Sequence, residues 1–437
     1  MTLVPSFLDI VQPLAAVMTA PSFSNFVTLV TGWVFARRRT VTAMIVAAEA
    51  VGAKHHGTFH RFFAASRWSL DALGLAVFAL IQPRLDNGPV MLGVDDTLAR
   101  KRGTKMFGTG MHHDPLLSSR RTTVTNWGHS WVVLGVIVQL PFCTRRYFCL
   151  PILFRLYLNK KAAVTHQRVY RTRPELAVEM LAVLCGAYEQ RRFHVVGDSA
   201  YGGQSVLLHL PENCDLTSRL VLDARLYDPP PKRAPGTNGR PRKRGQRLPT
   251  PKQMLERSTR HVDLDLYGKK RSVQIADAQA RVYAAPDRPL RVVTTEPISD
   301  RHKMKQAFYS TCVQATAQEV LAWYAMRWSI EVTFHDAKQH LGFEQPQGWT
   351  RRAAHRTAPV AMLLYTLIVL WFAKTGHRLY TPPHRPWYPH KTRASFADML
   401  ATLRSHSARQ GVLSTGISGR GCRKVLNMLR HAYQQAA

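Results

Sequence analysis

Two apolar runs that end on aspartate leave this chain few folds to choose from. PVMLGVDDT, residues 89–97, and RFHVVGDSAYGG, residues 192–203, each read as a buried strand that carries a carboxylate to the edge of a sheet. HSWVVLGVIVQL (129–140), RRYFCLPILFRLYL (145–158) and LTSRLVL (216–222) read as further strands, and PELAVEMLAVLCGAYEQ (174–190) as an amphipathic helix. The order is three strands, a helix, a strand bearing the second aspartate, an amphipathic stretch and a strand. It predicts an α/β fold, a mixed five-stranded sheet with helices on its faces.

The segment WYAMRWSIEVTFHDAKQHLG, residues 323–342, reads as one helix. At ~100° per residue its Tyr324, Arg327, Glu331 and Lys338 fall within a sector of roughly 60°. Intrahelical ion pairs on a solvated face would use the same residue types. A hydroxyl, a guanidinium, a carboxylate and an ammonium on one stripe also make a place for an anion and a metal.

This spacing, Y-(2)-R-(3)-E-(6)-K, resembles the signature of DDE-class transposases of bacterial insertion sequences. The resemblance covers residues 90 to 345 and is strongest around Glu331. It implies a ribonuclease-H-like sheet in which Asp95, Asp198 and Glu331 are the catalytic, metal-binding carboxylates. Either Asp95 or Asp96 can be the first ligand, since their side chains point to opposite faces of a strand. Asp95, two residues before Thr97, fits the form common in the family, and Asp96 is then a helper. The resemblance further implies that Tyr324, Arg327 and Lys338 hold DNA phosphates near the scissile bond, Arg through its planar fork and Lys as a point charge. Similar enzymes release their element through a hairpin intermediate and act as dimers bridged by DNA.

Three carboxylates suit phosphodiester chemistry with two Mg2+ ions, for which Mn2+ substitutes, because these ions take hard oxygen ligands. His112-His113-Asp114 and His55-His56 have no partner Cys or His at zinc-like spacing and read as loop or DNA-facing residues. Trp323 and Trp328 flank the stripe and read as core packing in preference to stacking on an extruded base. The six cysteines contain no C-x-x-C pair and read as reduced core residues of a cytosolic protein. No G-x-x-x-x-G-K-[ST] loop is present, so no nucleotide cofactor is expected.

The formal charge of +33 drives association with a polyanion. Membrane surfaces are polyanions too, but PVAMLLYTLIVLWFA (359–373), at fifteen residues, is short of the ~20 that a spanning helix needs and reads as a buried core helix. The N-terminal MTLVPSFLDIVQPLAAVMTAP lacks the early basic residues of a secretion signal and reads as a packing segment. A cytoplasmic, nucleoid-associated protein with double-stranded DNA as partner and no membrane contact is expected.

The chain divides into five parts. Residues 1–85 form a helical DNA-binding region, with a helical scaffold as the plainer alternative, and 86–222 the first part of the catalytic core. Residues 223–300 form a β-rich insertion with a basic loop. Its Arg240, Arg242, Lys243 and Arg244 are placed to track DNA phosphates. Residues 301–348 hold the second part of the core with the Glu helix, and 349–437 a basic helical C-terminal region. The expected protein is a DNA transposase that binds inverted-repeat ends, cleaves them and joins 3′-hydroxyl ends to target DNA by cut-and-paste transesterification, acting as a DNA-bound homodimer. A metal-dependent nuclease of the same fold, or a non-catalytic DNA-binding protein derived from a transposase, are the alternatives.

Overall fold

The computed structural model describes residues 1–119, 121–231, 242–257, 259–266, 269–298, 304–383, 386, 391–414 and 428. At its centre is β1 (Val90–Arg100), antiparallel to β3 (Thr125–Leu140) and parallel to β5 (Phe193–Gly197). Beyond β3 lies the antiparallel β4 (Cys143–Tyr157), and beyond β5 the parallel β6 (Cys214–Leu220). A short β2 (Gly110–His113) also pairs with β3. The near-continuous apolar runs of β3 and β5 are what strands covered on both faces require, and both are almost wholly buried.

The sheet is larger than the five strands expected. β11 (Gln306–Ser310) adds antiparallel to β6, and β10 (Ala285–Pro297) and β9 (Lys269–Val282) follow. The edge strands β7 (Leu226–Tyr227) and β8 (Arg260–Leu266) both pair with β9, which makes eleven strands in one sheet among the described residues. The insertion is therefore a continuation of the central sheet. The link is β11, whose QAFYS sequence is too short to stand out as a strand without its partners.

Residues 1–85 form α1 (Pro5–Val11), α2 (Ala20–Phe35), α3 (Val41–Ala47), α4 (His56–Ala64) and α5 (Leu70–Ile81). In the middle of the chain lie α6 (Lys160–Thr165), α7 (Arg173–Ala187), α8 (Gln204–Leu207) and α9 (Pro251–Arg257). A capping box of Thr172 and Glu175 starts α7, satisfying orphan N–H groups of its first turn. The C-terminal half contributes α10 (Ala317–Met326), α11 (Trp328–Leu341) and α12 (Arg351–Trp371). A π turn then leads to α13 (His377–Leu379), and α14 (Phe396–Ser414) follows.

The apolar run at 359–373 belongs to a longer helical stretch than its composition suggests. Arg351–Leu379 is long and apolar enough to cross a membrane by length and hydropathy, yet 89% of its most apolar window is buried inside the protein. It packs on β4 and against α1, α4, α5, α11 and α14. The buried Arg356 donates to the carbonyls of Ser66 (2.9 Å) and Trp68, pinning the N-terminal helices to α12. Trp33 Nε1 donates to the Leu341 carbonyl (2.8 Å) and Arg39 Nη2 to that of His340 (2.7 Å). These bonds fix the end of α11, the helix that carries Glu331.

Candidate active site

Strand β1 delivers two adjacent carboxylates to opposite sides. Asp95 accepts from Arg327 Nη1 at 2.9 Å, while Asp96 accepts from Arg173 Nε at 3.1 Å and from the Tyr201 hydroxyl at 3.0 Å. The Asp96 N–H donates to Asp95 Oδ1 (2.8 Å), which fixes that carboxylate against its own backbone.

Asp198 follows the last residue of β5 and caps a short turn, Ser199–Tyr201, accepting from the Ala200 N–H at 2.9 Å. Its carbonyl accepts from Ser218 Oγ on β6 (2.7 Å), and the Tyr309 hydroxyl of β11 donates to the Gly202 carbonyl (2.6 Å). A Cβ at Gly202 would lie 2.3 Å from Ser218 Oγ, so only glycine lets the turn lie this close to the sheet.

The helix expected over 323–342 is two helices meeting at Arg327. The Arg327 N–H donates to the Tyr324 carbonyl and the Ile330 N–H to the Arg327 carbonyl, both three residues back. This tightening separates α10, which lies against β5, β6, β8, β10 and β11, from α11, which lies against β1 and β4. Arg327 stays in the right-handed helical region, so the stripe keeps its phase across the junction. A Thr316–Glu319 capping box starts α10.

Arg327 Nη2 reaches Glu331 Oε1 at 2.7 Å, so one guanidinium binds Asp95 and Glu331 together. Tyr324 packs its ring on Phe308 and lies 5.7 Å below the guanidinium. Lys338 lies farther along β1, half-buried near Glu344, Arg100 and Asp114, and burial pulls its pKa down.

Burial dominates the electrostatics of the site. Burial pushes the Asp95 carboxyl up to about 7, and Asp198 and Asp96 push the same way against the opposing Arg327. Burial also raises Asp96, opposed by Arg173 and by the Tyr201 hydrogen bond. Burial works against the Arg327 charge, but Asp95, Tyr324 and Glu331 outweigh it and hold the group protonated.

The donor set is hard carboxylate oxygen, a chemistry that fits magnesium or manganese. Asp95, Asp198 and Glu331 are the residues available to hold them. Among the described residues no three His, Cys, Asp or Glu side chains are gathered closely enough to coordinate one ion. The cation that Asp95 and Glu331 share is the Arg327 guanidinium.

Sequence reasoning missed Arg173 and Tyr201, which hold Asp96. Tyr201 stands three residues after Asp198 in the Ser-Ala-Tyr-Gly-Gly turn, a position that could have pointed to it; nothing local marks Arg173, at the start of α7, as close to β1. The histidine cluster needs correction. His112 is a buried residue of β2, pulled by burial down to about 4, and Asp114 is buried against Arg100 (2.7 Å) and Asn126 (2.7 Å). Neither faces solvent, whereas His113 between them is exposed. Trp323 packs against His194 as expected, but Trp328 is 54% exposed.

In the basic insertion Arg242 and Lys243 are exposed, and Arg240 lies outside the described residues. Arg244 stacks over the Tyr283 ring at 4.1 Å and donates to the Tyr227 hydroxyl at 3.2 Å.

A family model described as "DDE superfamily endonuclease" matches residues 19–282, more than half of the chain. This chain belongs to that family. The resemblance read from the Tyr-Arg-Glu-Lys spacing is thereby borne out at the level of the family, from a part of the chain that ends before Glu331. The chain is also similar to a protein of Microchaete diplosiphon named "Probable transposase for insertion sequence element IS701". The two are 27% identical over 159 residues, which is 36% of this chain and 37% of that protein.

Proposed function

We propose that this DDE endonuclease is a transposase that binds the inverted-repeat ends of an insertion sequence, cleaves them and joins the freed 3′-hydroxyls to target DNA. The single observation that carries the reading is the convergence on β1: Arg327 binds Asp95 and Glu331, and Asp198 stands at the end of the adjacent parallel strand, close enough to raise the Asp95 pKa. The order β4-β3-β1-β5-β6, in which β3 alone runs opposite to the other four strands, supports a ribonuclease-H-like core.

In this reading Asp95, Asp198 and Glu331 hold two divalent ions, Mg2+ or Mn2+. Such ions, when bound, activate the attacking oxygen and stabilise the leaving one. The chain's own residues do the positioning. Arg327 bridges Asp95 and Glu331 in the free protein and offsets part of their charge. Tyr201 and Arg173 hold Asp96 away from the Asp95 side of the strand. Tyr324 and Lys338 extend the phosphate-binding stripe, and Arg242 and Lys243 add contacts from the insertion.

Release is by cut-and-paste through a hairpin, in a homodimer assembled on DNA. The helical residues 1–85 recognise the ends, and the enzyme acts on nucleoid DNA in the cytoplasm. Strand transfer tests this function. Incubating the protein with Mg2+, a labelled repeat-end duplex and a supercoiled plasmid should yield label joined covalently to plasmid. Cleavage with no joined product would reduce the protein to a nuclease, and binding with neither would make it a DNA-binding protein.

A further inference from the structure

The outer side of the α10–α11 rod faces a cleft of about 1050 Å³ that the proposed chemistry does not use. One wall is the tip of the β3–β4 hairpin with Arg145, Arg146 and Tyr147; Lys270 of β9 stands on the other, and Trp328 and Val332 line the helix side. Among the described residues, three cations line it and no carboxylate does. Arg146 lies over the Phe148 ring at 4.8 Å and makes a long contact to Asp336, at 3.9 Å. Arg145 and Lys270 are exposed, and the half-exposed Trp328 offers a flat apolar surface beside them.

The phase of the helix separates this cleft from the carboxylates. Ala322, Ala325, Ser329 and Val332 all line the cleft and share a stripe. At ~100° per residue that stripe lies roughly 150° from the Tyr324–Arg327–Glu331–Lys338 stripe. An α-helix with its side chains is roughly 10–12 Å across, so a strand seated on the carboxylates cannot also fill the cleft without passing round the rod.

We propose that this cleft is a second DNA-binding surface, which grips the phosphodiester backbone of a DNA segment other than the one at the carboxylates. Arg145, Arg146 and Lys270 supply the phosphate contacts. The occupant follows from charge complementarity, because a cleft whose described lining presents three cations selects a polyanion, and exposed aromatic surface beside cations is what nucleic-acid grooves offer. The inference rests on the transposase reading for its partner class, and gives that reading a place for the second of the two DNAs that joining requires.

The test measures binding in the Glu331→Gln background, where no DNA is cut. Affinity for a short random-sequence duplex is recorded against KCl for Glu331→Gln alone and with Arg145→Ser, Arg146→Ser and Lys270→Ser added. Loss of three phosphate contacts should lower the slope of log K against log salt by about 2–3 units and the affinity at least about tenfold. The charge-retaining set Arg145→Lys, Arg146→Lys and Lys270→Arg should keep the slope, and matching thermal melts establish that all variants fold. A photo-crosslinker at Val332 should attach to DNA. An unchanged slope in the serine set, or crosslinks only to a second copy of the chain, would overturn the proposal. Because the readout is binding, a protein that fails to join ends yet loses slope would keep the cleft and lose the transposase reading; one that joins ends with an unchanged slope would do the reverse.

Discussion

At the scale of single residues, the site is governed by the burial of a carboxylate beside a guanidinium and two further carboxylates. Asp95 is 15% exposed and titrates near 7, well above the ordinary aspartate value. Because its folded pKa is raised, its favourable contribution to stability is full below about pH 4 and is lost as pH rises through about 7. Asp95→Asn should therefore raise the melting temperature at pH 8, by on the order of 1–3 kcal/mol of stability, and the gain should vanish by pH 4. A variant equally stabilised at both pH values would show that the titration of Asp95 is not the cause. Arg327 gives a second prediction. It supplies Asp95 and Glu331 with the positive charge a divalent ion would bring, so the two compete. Arg327→Ala should bind Mn2+ several-fold more tightly in DNA-free protein, measured by calorimetry, while binding repeat-end DNA more weakly. Weaker metal binding in the variant would count against competition and make Arg327 a support for the ligands.

At the scale of elements, the boundaries that matter are set by a few termini. Helix α11 ends at Gly342, whose φ of +61° is left-handed and whose N–H caps the Ala337 carbonyl. A Cβ there would also meet Gln345 Oε1 at 2.7 Å. Gly342→Ala should cost about 1–2 kcal/mol, seen as a lower urea midpoint at unchanged slope; no shift would mean that the loop after α11 relaxes freely. The same elements show what is legible in the chain. Strands β1, β3, β4, β5 and β6 stand out because buried strands are continuous apolar runs bounded by turn residues, and the aspartates stand on or just after them. The break at Arg327 is not legible, since the residue keeps helical dihedrals and only the sheet beneath decides where the helix tightens. β11 is hidden for a related reason: five residues acquire strand character only through pairing with β6 and β10. His112 looks like a loop residue because its burial depends on β2 lying against β3, a long-range contact with no local signal. That Asp95 and Asp96 part company follows from strand alternation, but their partners, Arg327 and Arg173, come from distant segments.

Across the molecule, 60 basic against 27 acidic residues surround a core that runs unbroken from Phe7 through the sheet to Leu403. The N-terminal helices share that core with α12 and α14, so the end recognition proposed for these helices would be coupled to the helix bearing Glu331. Such an excess of charge predicts that DNA affinity falls by roughly a thousandfold or more between about 50 and about 200 mM salt; a shallow dependence would mean that most of these cations do not meet phosphate. Everything proposed for this protein turns on Asp95, Asp198 and Glu331 forming a metal-dependent nuclease site on this scaffold. The deciding experiment incubates wild-type protein and Glu331→Gln with Mg2+ and a duplex carrying the inverted repeat that flanks its gene, and resolves the products on a denaturing gel. Metal-dependent nicks or hairpins at the repeat boundary are expected, and they should disappear in Glu331→Gln while end binding persists. Cleavage that survives the substitution, or binding without cleavage in both Mg2+ and Mn2+, would contradict that assignment.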